Sequence, residues 1–151
     1  MLGTATAGWG SGHTGPAAAP SALEQAEAEH AVWGRLRRIE AAFRAGDAGS
    51  LRASFSSGGK MRVDLPHVAG CPASYGPGQL QAIFAEMFRE GRTREFTFRR
   101  QDVTLPSRDT AFARGRWVRD TGGTADREES LTFTLREEDG DWRIHEILAP
   151  R

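Results

Sequence analysis

Three side chains with the chemistry of metal ligands or nucleophiles stand close together in the sequence. Asp64, His67 and Cys71 fall within one short stretch. Structural zinc sites use paired cysteines or histidines at fixed spacing, and this stretch lacks such pairs. A nucleophilic cysteine needs a nearby base and a lowered pKa, and the residues around Cys71 indicate neither. We therefore predict no metal site, and we interpret Cys71 as a small loop thiol.

Two arginines have the chemistry to bind an anion. Arg114 and Arg116 are alternate residues of one predicted strand, and guanidinium groups bind carboxylates through paired hydrogen bonds. If their face of the strand is the inside of the protein, they could hold an anionic ligand. If it is the outer face, they meet solvent or pair across a dimer. The small residues on the other side, Ala111, Ala113 and Gly115, suit close packing under a helix, which favours the outer placement.

Composition bounds the class of protein. The chain has 151 residues, with 20 Lys and Arg against 20 Asp and Glu, and a single cysteine. A net charge of zero argues against a dedicated nucleic-acid binder, and one cysteine excludes an intrachain disulfide. No apolar run reaches the roughly 20 residues of a membrane span. The glycine-rich residues 8–12 follow no strand and precede no basic residue, so we expect neither a phosphate loop nor a cofactor.

Residues 1–20 differ in composition from the rest of the chain. They contain five Gly, five Ala, two Pro and four Ser or Thr, and no Asp, Glu, Lys or Arg. Such a segment buries too little apolar surface to offset the entropy of ordering it. It also lacks the basic start and the continuous apolar core of a signal peptide. We predict a flexible tail over residues 1–20, a folded domain over residues 21–151 and a cytoplasmic location.

Three helices are predicted in the first part of that domain. Ser21 and Glu24 have the spacing of a capping box at the start of the first helix. Apolar residues at steps of four, three and four form its buried face: Val32, Leu36, Ile39 and Phe43. Gly46 ends this helix, and Asp47 can cap a short second one. Pro77 suits the start of a third helix with its own apolar face.

Strand patterns surround the third helix. Residues 60–65 alternate polar and apolar and predict a strand, and residues 66–76, with two Pro and two Gly, predict a loop. Four more strand-like runs follow, over residues 94–105, over residues 110–120, around Leu131 and Leu135, and from Trp142 onward. Consecutive hairpins make an antiparallel sheet, and the helices can cover one face. The predicted fold class is α+β, a curved antiparallel sheet wrapped around three helices.

The order of these elements resembles the NTF2-like superfamily, also described as SnoaL-like or cystatin-like cone proteins. Residues 39–47 resemble its first-helix exit, residues 75–84 its third-helix entry, and residues 138–144 its last hairpin, where a Trp usually follows the turn. The middle of the chain is also similar to small bacterial families of this fold without an assigned activity. The motifs are specific for fold and unspecific for function, because the superfamily hosts isomerases, dehydratases, cyclases, transport adaptors and non-catalytic ligand binders.

The ketosteroid isomerase branch of that superfamily uses an aspartate base at the end of the first strand, just before a proline, and Asp64 falls at or next to that position, ahead of Pro66. The resemblance implies an Asp64 whose pKa is raised by an apolar surrounding and which moves a proton. The oxyanion donors of the branch fall near Ile39 and Leu131, which cannot donate, so steroid isomerisation is not expected. The alternation of residues 60–65 also places Asp64 on the polar face with Arg62.

Other residues complete a candidate acid–base site. His67 in the loop and His145 in the last predicted strand could assist Asp64, an arrangement similar to the site of scytalone dehydratase, with two histidines and one carboxylate. The loop over residues 66–76 could close over Asp64 and exclude water. Tyr75, the only tyrosine, could supply one hydrogen-bond donor there.

The sequence is compatible with three functions. The leading one is an NTF2-like protein that binds a small apolar or anionic ligand in the cone, with Trp33, Tyr75, Arg114 and Arg116 as candidate ligand contacts. The alternatives are a small acid–base enzyme of isomerase, dehydratase or polyketide-cyclase type that uses Asp64, and a protein-interaction module. The resemblance also implies a homodimer through the open face of the sheet, and we expect no nucleic-acid or membrane partner. The residues expected at this interface are Phe112, Arg114, Arg116 and Val118.

Overall fold

The structure, a computed structural model, describes residues 21–150, which form three helices and six strands. The helices are α1 (Ala22–Ala45), α2 (Ala48–Arg52) and α3 (Pro77–Glu90). The strands are β1 (Met61–Asp64), β2 (Ala73–Tyr75), β3 (Arg92–Ser107), β4 (Thr110–Asp120), β5 (Arg127–Glu138) and β6 (Asp141–Leu148). The tail predicted over residues 1–20 lies outside the described residues.

The first helix begins and ends at its local sequence signals. The Ser21 Oγ accepts a hydrogen bond from the Glu24 N–H at 3.1 Å, and the Glu24 carboxylate accepts one from the Ser21 N–H. Gly46 takes a left-handed φ of 63° at the other end, a conformation that glycine adopts without steric cost. Asp47 then caps α2 by accepting from the Ser50 N–H at 3.0 Å. None of the described helices combines the length and apolar character that crossing a membrane requires.

All six strands form one sheet in the order β2-β1-β6-β5-β4-β3. The three successive hairpins from β3 to β6 are antiparallel, as predicted. The sheet departs from the antiparallel pattern at one junction, where β1 runs parallel to β6. A parallel neighbour requires a long crossover, and α3 with the three hairpins supplies it. The predicted loop over residues 66–76 also contains β2, which pairs with β1 at the edge of the sheet.

Four register shifts interrupt the regular pairing of the sheet, three between β3 and β4 and one between β5 and β6. Residues 99–102 of β3 lie opposite a single residue of β4, so three extra residues are inserted. An odd insertion reverses the alternation of side chains, and the core residues of β3 accordingly change from even to odd numbers. They are Phe96 and Phe98 before the bulge and Val103 and Leu105 after it. On β6, His145 is an extra residue: Thr134 and Leu135 are consecutive on β5, but they pair with Glu146 and Ile144.

Aromatic side chains fill the space between α1, α3 and the sheet. The ring of Phe43 stacks on Phe96 with 4.0 Å between centroids. It meets Phe84 and Trp117 edge-on at 5.6 and 5.0 Å, distances at which aromatic pairs attract. Gly115 lies against these rings, since a Cβ there would stand 2.6 Å from Cζ of Phe96. The inner face of the curved sheet is therefore packed with aromatic rings.

A buried arginine joins α1 to the last hairpin. Arg35 is 5% exposed and donates to the Ser54 Oγ at 3.1 Å and to the Asp141 carboxylate at 2.9 Å. Burial tends to raise the pKa of Asp141, but the hydrogen bond and charge of Arg35 outweigh it and lower that pKa. This contact holds the long helix in place across the sheet.

Candidate functional site

The three predicted acid–base residues lie apart. Asp64 stands beside the last residue of β6, whereas His145 lies near the middle of that strand. His67 is exposed in the loop after β1 and lines a different cleft from the one that contains His145. The alternation of β1 is as predicted, because Val63 and Leu65 are buried and Asp64 occupies the other face. A catalytic role for the three residues stays a prediction, and their positions do not form one site.

His145 belongs to a set of polar groups at the β5–β6 hairpin, the hairpin cluster, which consists of Ser56, Ser57, Glu138 and His145. The Ser56 hydroxyl donates to Oε2 of Glu138 at 2.6 Å. The hydroxyl and N–H of Ser57 donate to Oε1 at 2.9 and 3.2 Å. Nε2 of His145 lies 2.5 Å from Oε2. Main-chain hydrogen bonds to Ile144 hold this serine segment against β6.

The carboxylate at the centre of the hairpin cluster is held in its charged form. Burial tends to raise the pKa of Glu138, but hydrogen bonds from Ser56 and Ser57 and the contact with His145 lower it from 4.5 to about 2. A general base works best when its pKa is near the working pH, so this carboxylate is poorly suited to accept a proton. The cluster therefore indicates a structural connection, although a cleft of about 570 Å³ adjoins it.

Tyr75 lies on the edge strand β2 and contacts its own loop. Its hydroxyl is 3.8 Å from Sγ of Cys71, close enough for a weak hydrogen bond. That hydrogen bond, together with burial, raises the pKa of Tyr75. Within residues 21–150, no group of three or more His, Cys, Asp or Glu side chains could hold a metal ion. A ligand contact by Tyr75 stays a prediction.

Arg114 and Arg116 lie on the outer face of β4, the placement that the sequence favours. Arg114 pairs with Asp102 at 3.1 Å. Arg116 pairs with Glu128 at 2.6 Å and with Glu95 at 2.8 Å. The alternative placed both arginines on the inside of the cone. The structure differs from it, because the inward positions of β4 beside them are occupied by Ala111, Ala113 and Gly115. An anionic ligand at Arg116 would have to compete with two carboxylates that already bind it.

Trp33 lies in a groove of about 650 Å³ between α1 and β3, a volume in the range of small-molecule sites. The guanidinium carbons of Arg37 and Arg100 stand 5.4 and 5.9 Å from the centre of the Trp33 ring, within the reach of cation–π attraction. We call this site the Trp33 groove, and its side chains include those of Glu29, His30, Trp33, Arg37, Phe98 and Arg100.

A buried carboxylate that the sequence analysis missed connects the two walls of the groove. Glu40 is 3% exposed, accepts a hydrogen bond from the Phe98 N–H at 2.9 Å and lies 3.5 Å from Nη1 of Arg37. Because Arg37 belongs to α1 and Phe98 to β3, Glu40 holds both walls. The spacing of the sequence indicates this burial, because Glu40 follows Leu36 by four residues and precedes Phe43 by three. It therefore lies on the apolar face of α1.

Arg100 was also missed, and its placement follows from strand alternation. Phe96 and Phe98 point inward, and Arg100 is the next residue of the same parity. It lies in the bulge over residues 99–102, where it is exposed and lines the groove. An arginine that continues an inward aromatic run is the sequence signal for a charge at the edge of the core.

Comparisons with known proteins identify the fold. No family model and no curated protein matches the chain. A protein of unknown function from Mycobacterium tuberculosis is similar at TM-score 0.64 and 16% identity, over 89% of this chain and 77% of that chain. An NTF-2 like protein of unknown function from Shewanella oneidensis MR-1 is similar at 0.61 and 15%, over 80% and 97%.

A ketosteroid isomerase-like protein from Erwinia carotovora atroseptica is similar at TM-score 0.59 and 18% identity, over 80% of this chain and 92% of that chain. Identities this low show a shared fold, and one fold hosts many activities. The strand order, the covering helices and these similar structures agree with the motifs at the first-helix exit, the third-helix entry and the last hairpin. The chain has the NTF2-like fold, an α+β cone in which a curved sheet wraps around helices.

Proposed function

We propose that this protein binds a small molecule in the Trp33 groove. The observation that carries the proposal is the half-buried indole of Trp33 in a groove of about 650 Å³, with two guanidinium groups within 5.9 Å of its ring centre. Binding sites for small molecules are concave, combine apolar surface with a few polar groups and are largely formed before the ligand arrives. The groove meets this description with the indole of Trp33 and the edge of Phe98 as its apolar surface.

The packing of the interior favours the Trp33 groove, rather than the deeper part of the cone, as the binding site. Phe43 stacks on Phe96, and Phe98 lies edge-on to Phe96 at 5.2 Å and to Phe133 at 5.5 Å. A ligand deep in the cone would have to displace these rings, which costs the burial free energy of large aromatic side chains. A ligand in the Trp33 groove leaves them in place.

An acid–base enzyme built on Asp64 has less support. Asp64 lies on the outer face of β1 and His145 contacts Glu138, an arrangement that gives little support to a substrate shared by the two. The groove itself holds Glu29, which accepts a hydrogen bond from the Gln25 side chain, and Glu40, whose carboxylate is engaged with a main-chain N–H. The positions of these carboxylates favour binding over proton transfer.

The test uses the neutral dye N-phenylnaphthylamine, whose fluorescence rises in an apolar site. We expect saturable binding by the full chain and about tenfold weaker binding by Trp33→Ala, because the ligand loses its aromatic contact. The control is Leu23→Ala, which removes an apolar side chain that is 68% exposed on α1 and does not line the groove. Unchanged binding by Trp33→Ala, or a loss confined to Leu23→Ala, would show that the ligand does not occupy the groove.

A homodimer through the outer face of the sheet is the second part of the proposal. Phe112 is 42% exposed there and Val118 is partly exposed, next to Arg114 and Arg116. Apolar and guanidinium groups together are typical of the cores of protein interfaces. Light scattering at micromolar concentration is expected to give twice the mass of one chain, and Phe112→Asp is expected to give one chain. A monomer at every concentration contradicts this assembly.

A further inference from the structure

We infer that the ligand of the Trp33 groove is an aromatic acid, whose ring lies on Trp33 and whose acidic group is bound by Arg100 and Arg37. The inference rests on the proposed function, and it adds the chemical class of the ligand and its orientation. It follows from three observations on the groove: the order of charges along α1, the unequal pairing of the two arginines, and the position of the indole between the charged ends.

The face of α1 that lines the groove has an acidic end and a basic end. Glu29, Trp33 and Arg37 follow one another at intervals of four residues and all line the groove. Residues at this interval lie on one side of a helix, and eight residues span about 12 Å along its axis. Arg100 of β3 also lines the groove, with its guanidinium carbon 5.9 Å from the centre of the Trp33 ring. An anion therefore meets opposite charge at one end of the groove and like charge at the other, so its orientation is determined.

The two arginines differ in how far the protein itself neutralises them. Arg37 lies 3.5 Å from the buried carboxylate of Glu40. Arg100 makes no ion pair with any residue between 21 and 150, and the contact that it does make is with the ring of Trp33. Arg114 and Arg116 on the outer face, by contrast, are each bound by carboxylates. The guanidinium of Arg100 is therefore available to a ligand carboxylate without loss of an internal ion pair.

The position of the indole explains why the acid is expected to be aromatic. Trp33 is half buried between the charged ends, and the buried ring of Phe98 lies beside it in the groove. A planar ring on Trp33 gains stacking and apolar contact, while its acidic group reaches the guanidinium fork of Arg100. An aliphatic acid would make the charge contact without the stacking, and a neutral ring would make the stacking without the charge contact.

The experiment uses two dyes that differ by one charge. Anilinonaphthalene sulfonate has the ring system of N-phenylnaphthylamine with an added sulfonate, so the ratio of their affinities isolates the contribution of the anion. We expect the full chain at low salt to bind the sulfonate about five- to tenfold more tightly than the neutral dye, as one or two partly exposed ion pairs would give. The preference is expected to fall as salt is added.

Three variants test the assignment of charges. Arg100→Gln is expected to bring the ratio of sulfonate affinity to neutral-dye affinity close to one, because the carboxylate of Glu40 already partly neutralises Arg37. Glu29→Gln is expected to raise sulfonate affinity slightly, because the like charge is removed. The matched control is Arg38→Gln, a change of the same type at an exposed residue of α1 that does not line the groove. It is expected to leave both affinities unchanged.

The possible outcomes separate this inference from the proposed function. Equal affinity of the full chain for the two dyes overturns the inference and leaves the groove as a binding site for neutral rings. A preference that survives in Arg100→Gln, or that Arg38→Gln removes as effectively, also overturns it. If neither dye binds at the groove, the proposed function fails as well. Loss of the preference in Arg100→Gln alone, with retained binding of the neutral dye, supports the assignment.

Discussion

The hairpin cluster and the Trp33 groove both place charged side chains at the edge of the core, and they differ in where the partners come from. In the hairpin cluster, both carboxylate oxygens of Glu138 accept hydrogen bonds from Ser56 and Ser57. In the groove, Arg100 faces an aromatic ring and pairs with no carboxylate among residues 21–150. Polar groups that form hydrogen bonds or ion pairs within the chain stabilise the fold. Polar groups that face a groove can bind a ligand.

Within the groove, Glu40 resembles Glu138 more than it resembles its own neighbours. Its carboxylate is buried and accepts the Phe98 N–H at 2.9 Å, so it connects two elements in the way that Glu138 connects the serine segment to the hairpin. The groove thus has a carboxylate, Glu40, that positions its walls, and a guanidinium, that of Arg100, that makes no ion pair within residues 21–150 and lines the groove. Proximity to a cavity alone does not decide which residue binds the ligand.

The largest effect is expected when the central group of the hairpin cluster is removed. Glu138→Ala should lower the free energy of unfolding by about 3 kcal/mol, because it leaves the buried Ser56 hydroxyl without its acceptor and removes the contact with His145. Urea denaturation measures the change. The control is Glu137→Ala at the exposed neighbouring position, expected to stay within about 0.5 kcal/mol. Equal effects of the two substitutions would contradict the structural role of the cluster.

A smaller loss is expected when the core beneath the groove is overfilled. In Gly115→Ala, the new methyl would stand 2.6 Å from Cζ of Phe96 and 3.0 Å from Cε1 of Phe98, which should lower the free energy of unfolding by about 2 kcal/mol. Since Phe98 also lines the groove, binding of N-phenylnaphthylamine should weaken in the same variant. The change is therefore expected to affect both stability and binding, unlike any change in the hairpin cluster.

The matched control for that substitution lies on α1. In Gly34→Ala, the added methyl meets no atom within 4 Å, and alanine favours the helix over glycine by about 0.5–1 kcal/mol. The variant is expected to be more stable than the native chain in the same urea titration. Stabilisation by Gly115→Ala as well would show that the rings beside Gly115 give way easily, and that the interior is less closely packed than the ring distances indicate.

Acid is expected to weaken the hairpin cluster. The pKa of Glu138 is lowered from 4.5 to about 2 in the folded chain, so its charged form favours folding. Its contribution is complete above the unfolded value and is lost as the pH falls from about 5 toward 2. The native chain should lose about 1 kcal/mol more than Glu138→Gln over that interval. Parallel pH profiles of the two proteins would show that Glu138 makes no such contribution.

The smallest effect on stability is expected at the basic end of the groove. Arg100→Gln should change the free energy of unfolding by less than about 0.5 kcal/mol, because the guanidinium takes part in no ion pair with residues 21–150. Thermal unfolding followed by circular dichroism measures this. A loss comparable to that of Glu138→Ala would place Arg100 among the structural residues and remove the difference between the two regions.

Local sequence signals were sufficient to determine the fold class and most of its elements. The capping box at Ser21 and Glu24, the glycine at Gly46 and the alternation of residues 110–120 each act over a few residues, so each is readable without the rest of the chain. The alternation of residues 60–65 places Asp64 on the outer face of its strand, and that of residues 110–120 does the same for Arg116, as the structure has them. The order of elements along the chain then indicates the NTF2-like fold, which the neighbouring structures confirm.

Tertiary structure alone decided which side chains meet. The parallel pairing of β1 with β6 places the end of β1 away from His145, and the bulge at His145 directs that ring toward Glu138. Arg37 and Arg100 meet around Trp33 only because α1 crosses β3. Strand register, bulges and helix crossing depend on contacts between residues far apart in sequence. A local pattern therefore predicts the face on which a residue lies, but it does not predict which side chain that residue contacts.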